Sequence, residues 1–356
     1  MTIPRLAVLL AVILALAGCA SPRATAKPQS LTAPPPFQPV EGGRILQAIT
    51  SLVRFTPGPP DSKLNREIQE VVTGIGRIAG KRTDVPTYLV GAPDHQVESY
   101  LRLFSKSQKK AFKASLSRAG RYLPMMKQVF QKEGLPQELI YLALVESAYN
   151  PMAVSPKEAT GIWQFMEATA RRYGLQVDAQ VDERRDPEKS TRAAARYLKD
   201  LHRQFGCWHL AAAAYNAGEG RVSTAIRRHG VRDFWGLAAR KLLPQETCNF
   251  VPQWVATVMV ARQPQHYGLG RIAYQKPWRF DRVKVPSGAD LHRFAEALGV
   301  ELNDLVGLNP ELQLPLTPLS LTAYELRVPA GKGREARRLA QGLKQGTIIM
   351  GGRIAH

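Results

Sequence analysis

Acidic side chains are scarce in this chain. Its 356 residues hold 29 Asp and Glu against 49 Lys and Arg, a formal charge of +20. Such an excess favours polyanions: nucleic acid, anionic lipid headgroups or an acidic cell-wall polymer, and composition alone does not choose among them. A bilayer-spanning apolar run is missing at the N-terminus. Leu6 to Ala17 is apolar throughout but too short to cross a bilayer; it has the length of a signal-peptide core, after a short basic stretch ending in Arg5. Cysteine is nearly absent, with three residues at positions 19, 207 and 248. No clustered His/Cys pattern suits zinc. Asp178, Asp182, Glu183 and Asp186 crowd together without EF-hand spacing, so a solvated segment with helix caps is expected there rather than a calcium site. No metal and no cofactor is expected.

The N-terminus narrows the choice of partner. Leu16-Ala17-Gly18-Cys19 resembles a bacterial lipobox, which makes residues 1–18 a signal peptide and Cys19 the lipidated first residue. Ala20 rather than Asp follows, which by analogy with lipoprotein sorting points to the outer membrane, facing the periplasm. Export removes nucleic acid as a partner. It also implies an oxidising compartment, in which Cys207 and Cys248 can pair; two free thiols are the alternative, and spacing does not show proximity.

Residues 19–40 are Pro-, Ala- and Ser-rich, include Pro34-Pro35-Pro36, and read as a disordered tether. Residues 41–96 form an extension in which Gly74, Gly76 and Gly80 weaken an amphipathic pattern over Leu64 to Ile78. Residues 97–265 read as a helical domain. One helix starts near Pro136 and stops at Asn150-Pro151; another follows the Asp186-Pro187 cap, carries Ala194, Tyr197, Leu198 and Leu201 on one face, and ends at Gly206. Trp208 to Ala217 and Pro252 to Ala261 are further helices. Residues 281–331 read as strand, helix, helix, strand, resembling a degenerate LysM-type carbohydrate-binding module with a long Leu/Pro-rich connection after Pro310. A basic tail, 332–356, has a helical pattern. The expected fold is therefore mainly α, with a small βααβ C-terminal module.

Glu146 is the candidate for chemistry. Leu139, Leu142, Ala143 and Glu146 follow i, i+3, i+4, i+7, which turns the carboxylate to the apolar face near a helix end. Lost hydration raises a carboxyl pKa and keeps its proton near neutrality, as a general acid requires. On this helix alone, a buried Glu paired with Arg or Lys is an equal reading.

Four motifs in order settle the resemblance: Glu146-Ser147, Gly161-Ile162-Trp163-Gln164-Phe165-Met166, Ala214-Tyr215-Asn216-Ala217-Gly218-Glu219-Gly220-Arg221, and Leu243-Pro244-Gln245-Glu246-Thr247. The chain over about 97–265 resembles the soluble lytic transglycosylase superfamily, whose fold is helical and goose-lysozyme-like. Arg121-Tyr122-Leu123-Pro124, Glu133-Gly134-Leu135-Pro136 and the LysM-like segment point to the membrane-bound D branch of that superfamily.

The resemblance implies cleavage between N-acetylmuramic acid and N-acetylglucosamine with formation of 1,6-anhydro ends. Peptidoglycan strands would be the substrate and the chain a monomer. It places Glu146 at the catalytic glutamate and Ser155 at a sugar-contacting polar position. Gln164 and Met166 match cleft positions, Tyr215 a hydroxyl that holds acid and sugar, Asn216 a substrate-orienting residue and Glu246 a cleft carboxylate. Phe250 stands where the family often has Tyr, Trp163 where Met is commoner, Phe165 where an aliphatic residue is common and Glu167 where Pro is usual. Trp163, Phe165 and Tyr215 can equally be core aromatics. A water-using muramidase and a non-enzymatic wall-binding scaffold are the alternatives.

Overall fold

The computed structural model describes residues 94–344, 349–350 and 353–354. The signal peptide, Cys19, the tether and almost all of the 41–96 extension lie outside these residues. Among the described residues no helix is long and apolar enough to cross a membrane.

Among the described residues ten helices build the first unit: α1 (Asp94–Ser105), α2 (Lys109–Ala119), α3 (Leu123–Lys132), α4 (Leu142–Ser147), α5 (Glu167–Arg172), α6 (Pro187–Phe205), α7 (Trp208–Ala217), α8 (Glu219–His229), α9 (Phe234–Ala239) and α10 (Gln245–Arg262). α7 runs through the middle. Leu210 and Ala211 to Ala214 are buried, and their small side chains let α6 and α10 approach it closely. α6 follows its local signals: the Asp186 carboxylate accepts the Glu188 and Lys189 amides, Pro187 takes the first turn, and Gly206 closes the helix at φ +68°.

Two expectations change in detail. The segment after Pro136 opens as a 3-10 turn (Gln137–Tyr141) and becomes α-helical only at Leu142. The last helix begins at Gln245, not Pro252, which sits inside it. An internal proline removes a helix hydrogen bond. Here the burial of Val251, Trp254, Val255 and Val258 outweighs that cost.

The second unit is βααβ. β1 (Phe280–Pro286) pairs antiparallel with β2 (Ala323–Pro329), with Val283 opposite Leu326. Between them lie α11 (Leu291–Leu298), capped by Asp290 and Gly299, and α12 (Leu302–Leu308). α13 (Gly333–Lys344) adds Ala336, Leu339 and Ala340 to the same core. A short pair, β3 (Ile349–Met350) and β4 (Arg353–Ile354), follows. The connection after Pro310 folds back: Thr317 exchanges backbone bonds with Ala289 and Gly288, and Leu291 N–H donates to the Pro315 carbonyl.

The acidic cluster is not a solvated segment. Asp182, Glu183 and Asp186 are buried, Asp182 and Asp186 in contact with the second unit, and only Asp178 keeps an exposed turn, accepting the Gln180 and Val181 amides. Most of their side-chain partners are close by, among them Arg184 for Asp182 and Lys189 for Glu183, but Arg327, which pairs with Asp186, lies 141 residues away, where sequence proximity gives no signal.

Candidate active site

The helix that carries Glu146 ends abruptly. Ala148 and Tyr149 both take left-handed backbone, φ +54° and +58°, and the Arg118 guanidinium donates to the Ala148 carbonyl at 3.1 Å. Tyr149 is buried and its hydroxyl donates to the Ile140 carbonyl at 3.0 Å. The chain then turns back as a narrow loop. Thr160 and Phe165 exchange both backbone bonds at 3.1 Å, and Gly161 N–H donates to Ala153. Ser147 Oγ donates to the Ile162 carbonyl at 2.8 Å, which stitches this loop to the Glu146 helix.

One cavity of about 800 Å³ opens between α4, this loop and the N-terminal end of α10. It brings together Glu146, Ser155, Gln164, Met166, Tyr215, Asn216 and Glu246. Glu146 is largely buried at its wall, and among the described residues its carboxyl has no hydrogen bond and no ion pair. Burial first, then repulsion by the Glu246 carboxylate, pushes its pKa up to about 8. The alternative of a buried Glu neutralised by Arg or Lys therefore does not hold.

The neighbouring polar groups are each held by the fold. Gln164 sits at φ +49°, a strained backbone for a non-glycine residue. Its Nε2 donates to the Ala153 and Gly161 carbonyls at 3.2 and 2.9 Å, which leaves its amide oxygen as the free acceptor. Ser155 Oγ accepts the Lys157 and Ala159 amides at 3.3 and 3.0 Å, so its O–H is available to donate. Asn216 Oδ1 accepts from Thr247 Oγ at 2.8 Å, so the amide nitrogen is the end left for a ligand. The Thr247 contact spans 31 residues and has no local signature in the sequence.

Tyr215 departs from expectation. Its hydroxyl donates to the Trp163 carbonyl at 2.8 Å and not to Glu146. Burial and the nearby Glu146 raise its pKa well above the usual tyrosine value, so it stays a phenol. Trp163 is core: fully buried, stacked on Phe130 and bonded through Nε1 to Thr191 Oγ at 2.9 Å. Phe165 and Phe250 are buried and also line the cavity. Met166 is exposed at its edge. Glu246 is exposed too, 3.5 Å from Lys157 Nζ, a partner that sequence reasoning missed. A further cluster at the rim was missed: Glu219 accepts from Tyr197 Oη at 2.9 Å and pairs with Arg172 at 2.7 Å. Its signal was present in the Gly218-Glu219-Gly220 motif.

The proposed Cys207–Cys248 bridge is not formed. Cys248 is a buried free thiol whose Sγ points to the Leu243 carbonyl at 3.6 Å, one turn back along its own segment. No group of His, Cys, Asp and Glu among the described residues is arranged to hold a metal ion.

Comparison with known proteins fits this arrangement. Residues 125–237 match the transglycosylase SLT domain, and residues 279–344 match the LysM-like domain of lytic transglycosylase MltD. The chain is 36% identical over 197 residues to membrane-bound lytic murein transglycosylase D of Escherichia coli K12, covering 54% of this chain and 43% of that one. It is 42% identical over 111 residues to a putative tributyltin chloride resistance protein of an Alteromonas strain, covering 31% and 54%. It is 33% identical over 109 residues to the soluble lytic murein transglycosylase of Escherichia coli K12, covering 29% and 17%. The chain thus spans about half or less of the length of these relatives.

Proposed function

We propose that this chain, which carries the SLT domain and the MltD-type LysM-like domain of the lytic murein transglycosylases, cleaves peptidoglycan glycan strands at the N-acetylmuramic acid–β-1,4–N-acetylglucosamine bond. The supporting observation is Glu146: a carboxyl without a partner, kept protonated to about pH 8, in a cavity among amide and hydroxyl groups.

Most glycosidases use two carboxylates on either side of the bond. Glu246 is exposed and engaged by Lys157, a place for substrate contact rather than proton transfer. A second carboxylate is not needed when the 2-acetamido oxygen of the muramic unit attacks its own C1. Glu146 donates its proton to the departing N-acetylglucosamine O4 as the C1–O4 bond breaks. The same carboxylate then takes the proton of the C6 hydroxyl, whose oxygen displaces the acetamido oxygen from C1. No water is added, and the product ends in 1,6-anhydromuramic acid. The Asn216 amide nitrogen, the Ser155 hydroxyl and the Gln164 amide oxygen would hold the sugar's acetamido and hydroxyl groups in line for closure.

The basic surface suits a polymer bearing lactyl and peptide carboxylates. The lipobox-like Leu16–Cys19 supports an anchor at Cys19 in the outer membrane, facing the periplasm; palmitate labelling and membrane fractionation of wild type against Cys19→Ala tests it. Masses of the products from purified sacculi test the reaction. Muropeptides lighter by one water than their reducing counterparts are expected. Reducing ends alone would make the chain a hydrolytic muramidase.

A further inference from the structure

The segment Asp178–Asp186 belongs to the catalytic unit by sequence and to the C-terminal unit by packing. Val181 is part of the second hydrophobic core, with Val283, Leu291 and Leu326. Asp182 N–H donates to the Glu311 carbonyl at 2.8 Å, and Gln313 N–H donates to the Gln180 carbonyl at 2.9 Å. Behind them lies a buried charge cluster. Arg327 of β2, 2% exposed, pairs with Asp186 and, at 2.8 Å, with Glu311, which also accepts from Tyr324 Oη at 2.6 Å. Asp186 is the same residue that caps α6.

From this segment Arg184 reaches the other way. Its guanidinium grips Asp182 through two bonds of 2.9 and 2.8 Å, and its third nitrogen donates to the carbonyls of Glu158 and Phe165 at 3.0 and 3.3 Å. Those carbonyls flank the loop that carries Gln164. The loop lies so close that a Cβ on Gly161 would stand 1.9 Å from the Arg184 carbonyl oxygen.

We propose that the LysM-like unit is a structural part of the catalytic site: through Arg327 and Glu311 it fixes the 178–186 segment, and Arg184 on that segment positions the cleft wall bearing Ser155 and Gln164. Arg184 and Arg327 are positioning residues; neither lines the cavity. The unit would then act on the rate whether or not it holds glycan itself. The activity readout rests on the proposed function; the structural readout does not.

The test uses the full chain, a muropeptide tetrasaccharide as substrate, and backbone amide exchange. In Arg327→Met, exchange over 158–165 is expected to quicken while the α7 amides keep their protection. A displaced wall should lower kcat by roughly ten- to a hundredfold, with a smaller change in KM. Arg327→Lys, which keeps a charge in place, should recover part of both effects. Arg184→Met separates the steps: 158–165 should loosen while β1 and β2 stay protected. It also decides the case if Arg327→Met does not fold. Unchanged exchange over 158–165 in Arg184→Met, or β1 and β2 opening in Arg327→Met with 158–165 undisturbed, overturns the proposal. A wild-type chain that cleaves no glycan would defeat the proposed function and leave the exchange result standing.

Discussion

At Glu146 two effects push the same way. Burial removes the water that would solvate a carboxylate, and the Glu246 carboxylate repels a second negative charge. A carboxyl raised to about 8 delivers its proton at neutral pH, so kcat/KM on a soluble glycan should hold level to about pH 8 and then fall about tenfold per pH unit. Glu246→Gln removes the repulsion and should move that fall to lower pH; a fall that stays in place would separate the two groups. The same shift bears on stability. Because the folded value lies above the ordinary 4.5, the carboxyl's contribution is complete below about pH 4.5 and is lost as pH rises towards 8. Glu146→Gln should therefore raise the unfolding free energy at pH 8 relative to wild type, by up to a few kcal/mol at about 1.4 kcal/mol per unit, and change little at pH 4. Thr247→Val should cost about 1 kcal/mol of stability and lower kcat/KM several-fold by freeing the Asn216 amide to rotate. Equal kcat/KM in the two proteins would remove Thr247 from the site.

At the scale of elements, what the sequence announces is what is local. Asp186-Pro187 and Gly206 mark α6, and Asp290 and Gly299 mark α11, because a cap acts within one turn of its own residue. The alternation around Val283 and Leu326 marks the two strands in the same way. The 3-10 entry before Leu142 and the proline inside α10 are decided by packing from elsewhere and leave no such mark. The site divides along the same line. The motifs that carry Glu146, Gln164, Tyr215 and Asn216 are read in order along the chain, and the fold gathers them around one cavity. Their supports, Thr247 under Asn216 and the Trp163 carbonyl under Tyr215, arrive from 31 and 52 residues away. The loop that carries Gln164 is closely packed against the 178–186 segment. Gly161 combines φ +85° with the Arg184 carbonyl where a Cβ would be. Gly161→Ala should therefore lose at least about 2 kcal/mol, from left-handed strain and overpacking together. Its thermal midpoint against wild type reads this directly, and an unchanged midpoint would mean the loop can move aside.

At the scale of the whole molecule, the two units share a segment rather than a linker. Val181 packs in one core while Arg184 braces the other, and the buried Arg327 holds Asp186 and Glu311 at the seam. Denaturant unfolding followed by two probes, one in each unit, should give one coincident transition; two separated transitions would mean the seam is weak. Removing Arg327 strands two buried carboxylates, so Arg327→Met should lower stability by about 3–5 kcal/mol. The excess of 20 positive charges belongs to this scale as well. It suits the acidic wall polymer proposed as substrate, and in the proposed arrangement the seam would hold the cleft wall in register with the unit beside it.

The proposed reaction rests on Glu146 as the group whose proton would break the glycan. Purified sacculi incubated with wild type and Glu146→Gln, followed by turbidity, with sedimentation for binding and a melting curve for folding, put that to the test. Glu146→Gln should bind sacculi as wild type does, melt no lower at pH 8 and fail to clear them. Continued clearing by Glu146→Gln would contradict it.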